Sequence, residues 1–243
     1  MARRKVMLAY PNTGNLHVEL VKSLVKIITD TSHEVHFQFD APVLKCNENN
    51  YQNIAKKFWE SDSEFLLQID SDNPPMKNPL PLCDLGLDII SLPTPTWKYC
   101  KEEGEDYNPL QWNAYEKVRA GVYRAKPPGR GLERVDAAGA GCVLIHRRVF
   151  EAPLMKREGW HRKWNKENGT ADLGLDLAFC ERATKCGFEI YTHWDYPCRH
   201  FNTVDLATFS DGFKQWANTL GLVDGKERLE EKESPLVLVG AGN

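Results

Sequence analysis

Along this chain the apolar residues follow two rhythms that alternate from one segment to the next. Short runs rich in apolar and β-branched residues fall at Lys5 to Tyr10, Val35 to Phe39, Phe65 to Ile69, Asp88 to Leu92, Cys142 to His146 and Phe188 to Thr192. Turn-forming residues bound most of them, as expected for largely buried strands. Between them the spacing becomes helical. Leu16, Leu20, Leu24 and Ile27 share one face of a helix predicted from Leu16 to Ile28. Further helices are expected at Asn53 to Trp59, Leu80 to Leu87, Leu177 to Lys185 and Leu206 to Leu220, and Gly187 supplies the helix ending at Lys185 with a C′ residue. The alternation predicts an α/β fold with an open, mostly parallel sheet. From Pro93 to Arg134 the pattern loosens into proline, glycine and aromatic residues, which predicts long loops or a small antiparallel insertion. A single domain is expected over residues 1–223, followed by a charged tail over 224–243.

Composition narrows the class without naming a function. The 243 residues suffice for a substantial core, and no low-complexity block or internal repeat interrupts them. The start MARRKVMLAY is basic, but its apolar run is too short for a signal peptide and suits a first strand better. No segment has the length of a membrane-spanning helix. Seven cysteines in irregular spacing fit a reducing cytoplasm better than a disulfide framework, and Cys180 and Cys186 lack the partner pairs of a structural zinc site.

The strongest chemical signal is EFLLQIDSDNPP. A strand running to Ile69 ends on Asp70, Ser71 and Asp72, and Pro74-Pro75 stops both ladder and helix. That puts two carboxylates at a strand's carboxyl end, where open α/β sheets bind ligands. Two acidic groups one residue apart suit a divalent cation already held by phosphate oxygens. A polar turn capping the strand would use the same residue types.

Two later segments join this one in order, VDAAGAGCVLIHRRVFE and LGLDLAFCERATKCGFEIYTHWDYPCRH. Together the three resemble nucleotide-sugar-dependent glycosyltransferases of the GT-A fold, in particular the family-2-like branch of bacteria and phages. The resemblance covers roughly residues 5 to 205. It implies that Asp72 binds Mn2+ or Mg2+ bridging the diphosphate of a nucleotide sugar, with uridine diphosphate the expected carrier. Asp70 would contact the ribose or the metal shell, and His200 would be the third protein ligand. Asp176, at the start of the helix LDLAFCERA, would be the catalytic base, favoured there by the helix dipole. Many relatives carry a glutamate just before this aspartate and another acid two positions after it. This chain has Leu175 and Ala178, so Asp176 acts alone or with Asp172.

Pro11, Asn12, Thr13 and Gly14 follow the first strand and are candidates for the nucleotide pocket, although a plain turn accounts for them as well. Asp40, after the second strand, is a candidate contact for the base. Ala138, Gly139 and Ala140 allow close approach of backbone to the sugar or diphosphate, or simply tight packing. Trp97 and Tyr99 are candidates for stacking on a sugar or base.

Charge is the one hint to the acceptor. Residues 117–166 hold 13 Lys and Arg against 4 Asp and Glu, about +9 in a chain of net −3. Trp160 and Trp164 interleave with these cations, which suits a nucleic acid acceptor such as a hydroxylated base of phage DNA. The alternatives are a protein or glycan acceptor, with the cations neutralising the donor diphosphate or forming a solvated face. A nucleotidyltransferase or a non-catalytic nucleic-acid-binding protein are the competing classes. PNTGNLH is a poor phosphate loop for the former, and the latter leaves the ordered acids without a purpose.

Overall fold

The computed structural model describes residues 3–11, 16–38, 47–97, 110–165, 167, 169 and 171–201. In chain order the elements are β1 (Lys5–Ala9), α1 (Val18–Ile28), β2 (Glu34–Gln38), α2 (Asn47–Glu60) and β3 (Phe65–Ile69). A 3-10 turn at Leu80–Leu85 leads to β4 (Ile89–Ser91). Then follow β5 (Pro95–Trp97), β6 (Leu110–Trp112), β7 (Ala114–Arg119), β8 (Val122–Ala125), β9 (Leu132–Val135), β10 (Ala137–Ala138) and β11 (Cys142–His146). The remainder is α3 (Arg147–Glu151), α4 (Pro153–Glu158), β12 (Lys163–Trp164), β13 (Ala171–Leu173), α5 (Leu175–Lys185) and β14 (Ile190–His193).

Seven strands form the main sheet in the order β2-β1-β3-β11-β4-β14-β9. β1 lies parallel to β2 and β3, and β14 parallel to β4, while β11 runs antiparallel to both β3 and β4, and β9 antiparallel to β14. Five strands therefore point one way and two the other, a mostly parallel sheet as expected. Strand alternation sends Leu66 to one face and Phe65, Leu67 and Ile69 to the other, so each face carries its own apolar core. α1 and the 3-10 turn cover one face through Leu20, Leu24, Ile27, Leu80 and Leu82. α2, α3, α4 and α5 cover the other through Ile54, Phe58, Val149, Phe150, Met155 and Phe179.

Several boundaries differ from expectation for physical reasons. α1 begins at Val18 because the ring of His17 accepts from the Glu19 amide as an N-cap, and Leu16 ahead of it is left 40% exposed rather than on the buried face. α2 starts well before Asn53, on a polar turn that hydrophobic periodicity does not register. The 3-10 turn ends at Gly86, which sits at φ +62°. The loosened stretch from Pro93 to Arg134 contains antiparallel pairs, β5 with β6 and β7 with β8, and β7 pairs also with β10 just past it. The expected helix from Leu206 to Leu220 and the tail 224–243 lie outside the described residues. Five free cysteines occur among the described residues. No helix among them is long and apolar enough to cross a membrane.

Candidate active site

The site lies at the carboxyl end of β3 and is assembled by backbone pairing. The ladder between β3 and β11 continues one step past Ile69, where the Asp70 amide donates to the Gly141 carbonyl at 2.7 Å. The chain then turns, with the Asn73 amide donating to the Asp70 carbonyl, and the prolines bring residues 72–76 alongside 197–201. Phe201 donates to the Asp72 carbonyl at 2.9 Å, Arg199 to Pro74 at 3.0 Å and Met76 to Pro197 at 3.0 Å. Two segments over a hundred residues apart are thereby fixed side by side.

This pairing sets His200 against Asp72, with Nε2 3.4 Å from the Asp72 carboxylate. The other ring nitrogen, Nδ1, lies 2.7 Å from the Pro95 carbonyl and donates to it, which leaves Nε2 as the lone-pair nitrogen of the neutral ring. The hydrogen bond with Asp72 raises the His200 pKa, against the effect of burial. Burial works to raise the Asp72 carboxyl, but the hydrogen bond and charge of His200 prevail and hold it below its ordinary range.

Asp70 turns away toward the hydroxyl of Tyr51, which donates to it at 2.5 Å. Protein packs closely around Asp70, and burial lifts its carboxyl well above the usual range. The charges of Asp176 and Asp72 add to this, while the Tyr51 hydroxyl and His200 oppose it. Asp176 stands in the first turn of α5, whose N-cap, Gly174, offers no side-chain cap. Its carboxylate accepts from the Ala140 amide at 3.2 Å. Burial raises its pKa too, opposed by that amide and by the charge of Arg162.

A cleft of about 390 Å3 brings these groups together, enough for a nucleotide headgroup. Pro11, Asp70, Ser71, Asp72, Gly139, Asp176 and His200 all line it, so seven of the sequence-predicted residues share one cavity. Ala140 takes part through its amide on Asp176. Asn12, Thr13, Gly14, Asp40 and Tyr99 lie outside the described residues. Trp97 is on β5 but not on the cleft wall, where Thr94 and Thr96 appear instead. Asp172 is exposed on β13 and does not line the cleft. A second chamber of about 310 Å3 shares Tyr51, Asp70, Tyr115 and Asp176 and adds Arg162, Gly174, Leu175 and Leu177.

Tyr51, Asn73, Asn113, Tyr115 and Arg162 were not marked by sequence pattern. Asn113 is the most consequential, because its side-chain carbonyl accepts from the Thr94 amide at 2.7 Å and its backbone carbonyl from the Gly139 amide at 2.7 Å. A Cβ on Gly139 would meet Asn113 Nδ2 at 2.5 Å, and one on Gly141 would meet Asn73 Oδ1 at 2.8 Å. The small residues of this loop thus answer to protein packing.

Carboxylate oxygen and neutral imidazole nitrogen are donor types that a divalent cation accepts. Three carboxylates face one cleft and repel one another, and one of them is paired with an imidazole whose far nitrogen is anchored on a backbone carbonyl. Among the described residues no three His, Cys, Asp or Glu side chains are drawn together as a metal-enclosing group, and Asp72 and His200 are the two that stand side by side.

No protein-family model matches the sequence, and no curated protein matches it significantly. Among solved structures, the crystal structure of A197 from STIV aligns at 17% identity over 82% of this chain and 86% of that one, with a TM-score of 0.54, a likeness of fold. GalNAc-T7 with UDP, GalNAc and Mn2+ aligns at 11% identity over 82% of this chain and 37% of that one, with a TM-score of 0.47. A glycosyltransferase involved in glycosylation of the major capsid of PBCV-1 aligns at 8% identity over 86% and 99%, with a TM-score of 0.43.

Proposed function

We propose that this chain is a glycosyltransferase that moves a sugar from a nucleotide-diphospho-sugar, with UDP the favoured carrier, to an acceptor hydroxyl. The observation that carries this is the anchored Asp72–His200 pair facing the same cleft as the half-buried Asp176. Asp72 and His200 would hold Mn2+ or Mg2+. A divalent cation bound there would offset the negative charge that builds on the departing diphosphate.

The chain's own residues then have distinct tasks. The Ala140 amide holds the Asp176 carboxylate in place, and a raised pKa makes that carboxylate a stronger base than an exposed aspartate. Asp176 takes the proton of the acceptor hydroxyl as that oxygen attacks the anomeric carbon. Because Asp176 lines both chambers, the donor diphosphate belongs on the side of Asp72 and His200, and the acceptor on the side of Arg162. Tyr51, Asp70 and Tyr115 also line both chambers. Leu175 and Ala178 stand where the resembling family carries acids, and Asp172 lines neither chamber, which favours Asp176 acting alone.

Calorimetric titration of UDP, GDP and ADP, each with Mn2+, Mg2+ or chelator, tests the donor side. The expected result is tight binding of one diphosphate that needs the cation and disappears in Asp72→Ala. Absence of metal-dependent binding for all three would rule the assignment out.

A further inference from the structure

α1 has more apolar surface than its packing uses. Leu20, Leu24 and Ile27 face the sheet, yet Val18, Val21, Val25 and Ile28 follow a second helical row that is 42–61% exposed. A polar outer face would be the ordinary choice for such a helix. Beside this row, on the same outward side, stand the exposed lysines Lys22 and Lys26. Beyond them a cleft of about 150 Å3 opens between α1 and the loop after Pro74-Pro75. Lys22, Lys26, Lys77 and Arg199 line it against a single carboxylate, Glu19, which pairs with Lys22 at 2.6 Å and Arg199 at 3.5 Å. Met76, 58% exposed, adds an apolar rim. The cleft is too small for a whole drug-sized ligand but roomy enough for a phosphate group.

We propose that this surface docks on an anionic lipid bilayer, with the valine row entering the headgroup boundary and the basic cleft taking a lipid phosphate. Charge complementarity selects the occupant. Two copies meeting through α1 would bring their lysines together, and the valine row has nothing to gain from a nucleic acid backbone. An interfacial helix needs what is present here, apolar residues on one flank of the outer face and lysines on the other. Ser23 fixes the arrangement by donating to the Pro75 carbonyl at 3.1 Å, which ties the helix to the loop that bears Asp72. The docking face therefore adjoins the candidate active site without including it.

The test is co-sedimentation of the full chain with vesicles of phosphatidylcholine alone and of phosphatidylcholine mixed with phosphatidylglycerol. The expected result is binding to the mixed vesicles only, weakened by salt. Val21→Ser with Val25→Ser, and separately Lys22→Gln with Lys26→Gln, should each reduce affinity roughly tenfold or more, with circular dichroism unchanged. Equal binding to both vesicle types, or none, overturns the proposal. So does binding that survives either variant. Loss in the lysine pair alone would assign the surface to polyanions in general. A concentration-dependent dimer abolished by the valine pair would make this face a contact between copies.

Discussion

Asp176 and the Asp72–His200 pair make separable demands, and single substitutions distinguish them. Asp176→Asn keeps an oxygen for the Ala140 amide but loses the base, so turnover should fall by about 10^2–10^4-fold while nucleoside diphosphate affinity holds. Comparing kcat with calorimetric Kd checks this, and a variant with near-normal kcat would remove Asp176 from the base role. His200→Ala should do the reverse first, weakening the metal-dependent part of nucleotide binding and leaving the metal-free part unchanged. Gly139 belongs to a third category. Its added methyl would press on Asn113, which is 5% exposed and committed to the Thr94 amide, so the neighbour has nowhere to go. Gly139→Ala is therefore expected to cost about 1–3 kcal/mol, read by denaturant titration.

Among the elements, the best test of what the chain spells out is the junction of β11 and α3. The run Cys142 to His146 is legible because it is apolar, short and followed by a change of rhythm, and its bounds match. Arg147, the next residue, is not legible as a structural element. In sequence it is one of two basic residues before an aromatic, a feature shared with the resembling family. In the fold it reaches the end of α2 and donates to the carbonyls of Phe58, Trp59, Ser61 and Ser63. A helix end leaves its last carbonyls without partners, and this one is supplied from 86 or more residues away for Phe58, Trp59 and Ser61. Periodicity reports which face is buried, not which distant side chain arrives at a terminus. For the same reason Asp70 and Asp72 could be marked at a strand end, whereas Tyr51 and Asn113, brought in by tertiary packing, could not. Arg147→Ala should lower stability by about 2–4 kcal/mol, because the carbonyls lose several charge-assisted bonds at once, and Arg147→Lys should recover only part of it. A thermal midpoint within a degree of wild type for Arg147→Ala would refute this capping role.

At the scale of the molecule, the basic stretch over residues 117–166 looks different once folded. Lys117 and Lys163 lie near Glu181, Arg124 pairs with Glu116, Lys126 with Glu133 and Arg134 with Glu189. Arg148 is held by Asp88, Arg157 by Glu158 and Arg162 near Glu48, while Lys156 sits over the Trp59 ring and Arg147 caps α2. Carboxylates from inside the segment and from Glu48, Asp88, Glu116, Glu181 and Glu189 outside it thus engage most of its cations, although the segment keeps a positive excess. Only Arg119 and Arg130 have no such partner among its described residues, and Lys166 lies outside them. Trp160, one of the two interleaved tryptophans, is 1% exposed and stacked on Phe179, so it is closed to a base. A cation already paired with a carboxylate releases little when a phosphate approaches, and counterion release is what drives binding to DNA. Affinity for duplex DNA should accordingly show a shallow salt dependence. The expected slope of log K against log salt is no steeper than about −2, the value for two phosphate contacts. Fluorescence anisotropy across a salt series measures it directly. A slope of about −5 or steeper would mean that the ion pairs open on contact and that DNA returns as the acceptor.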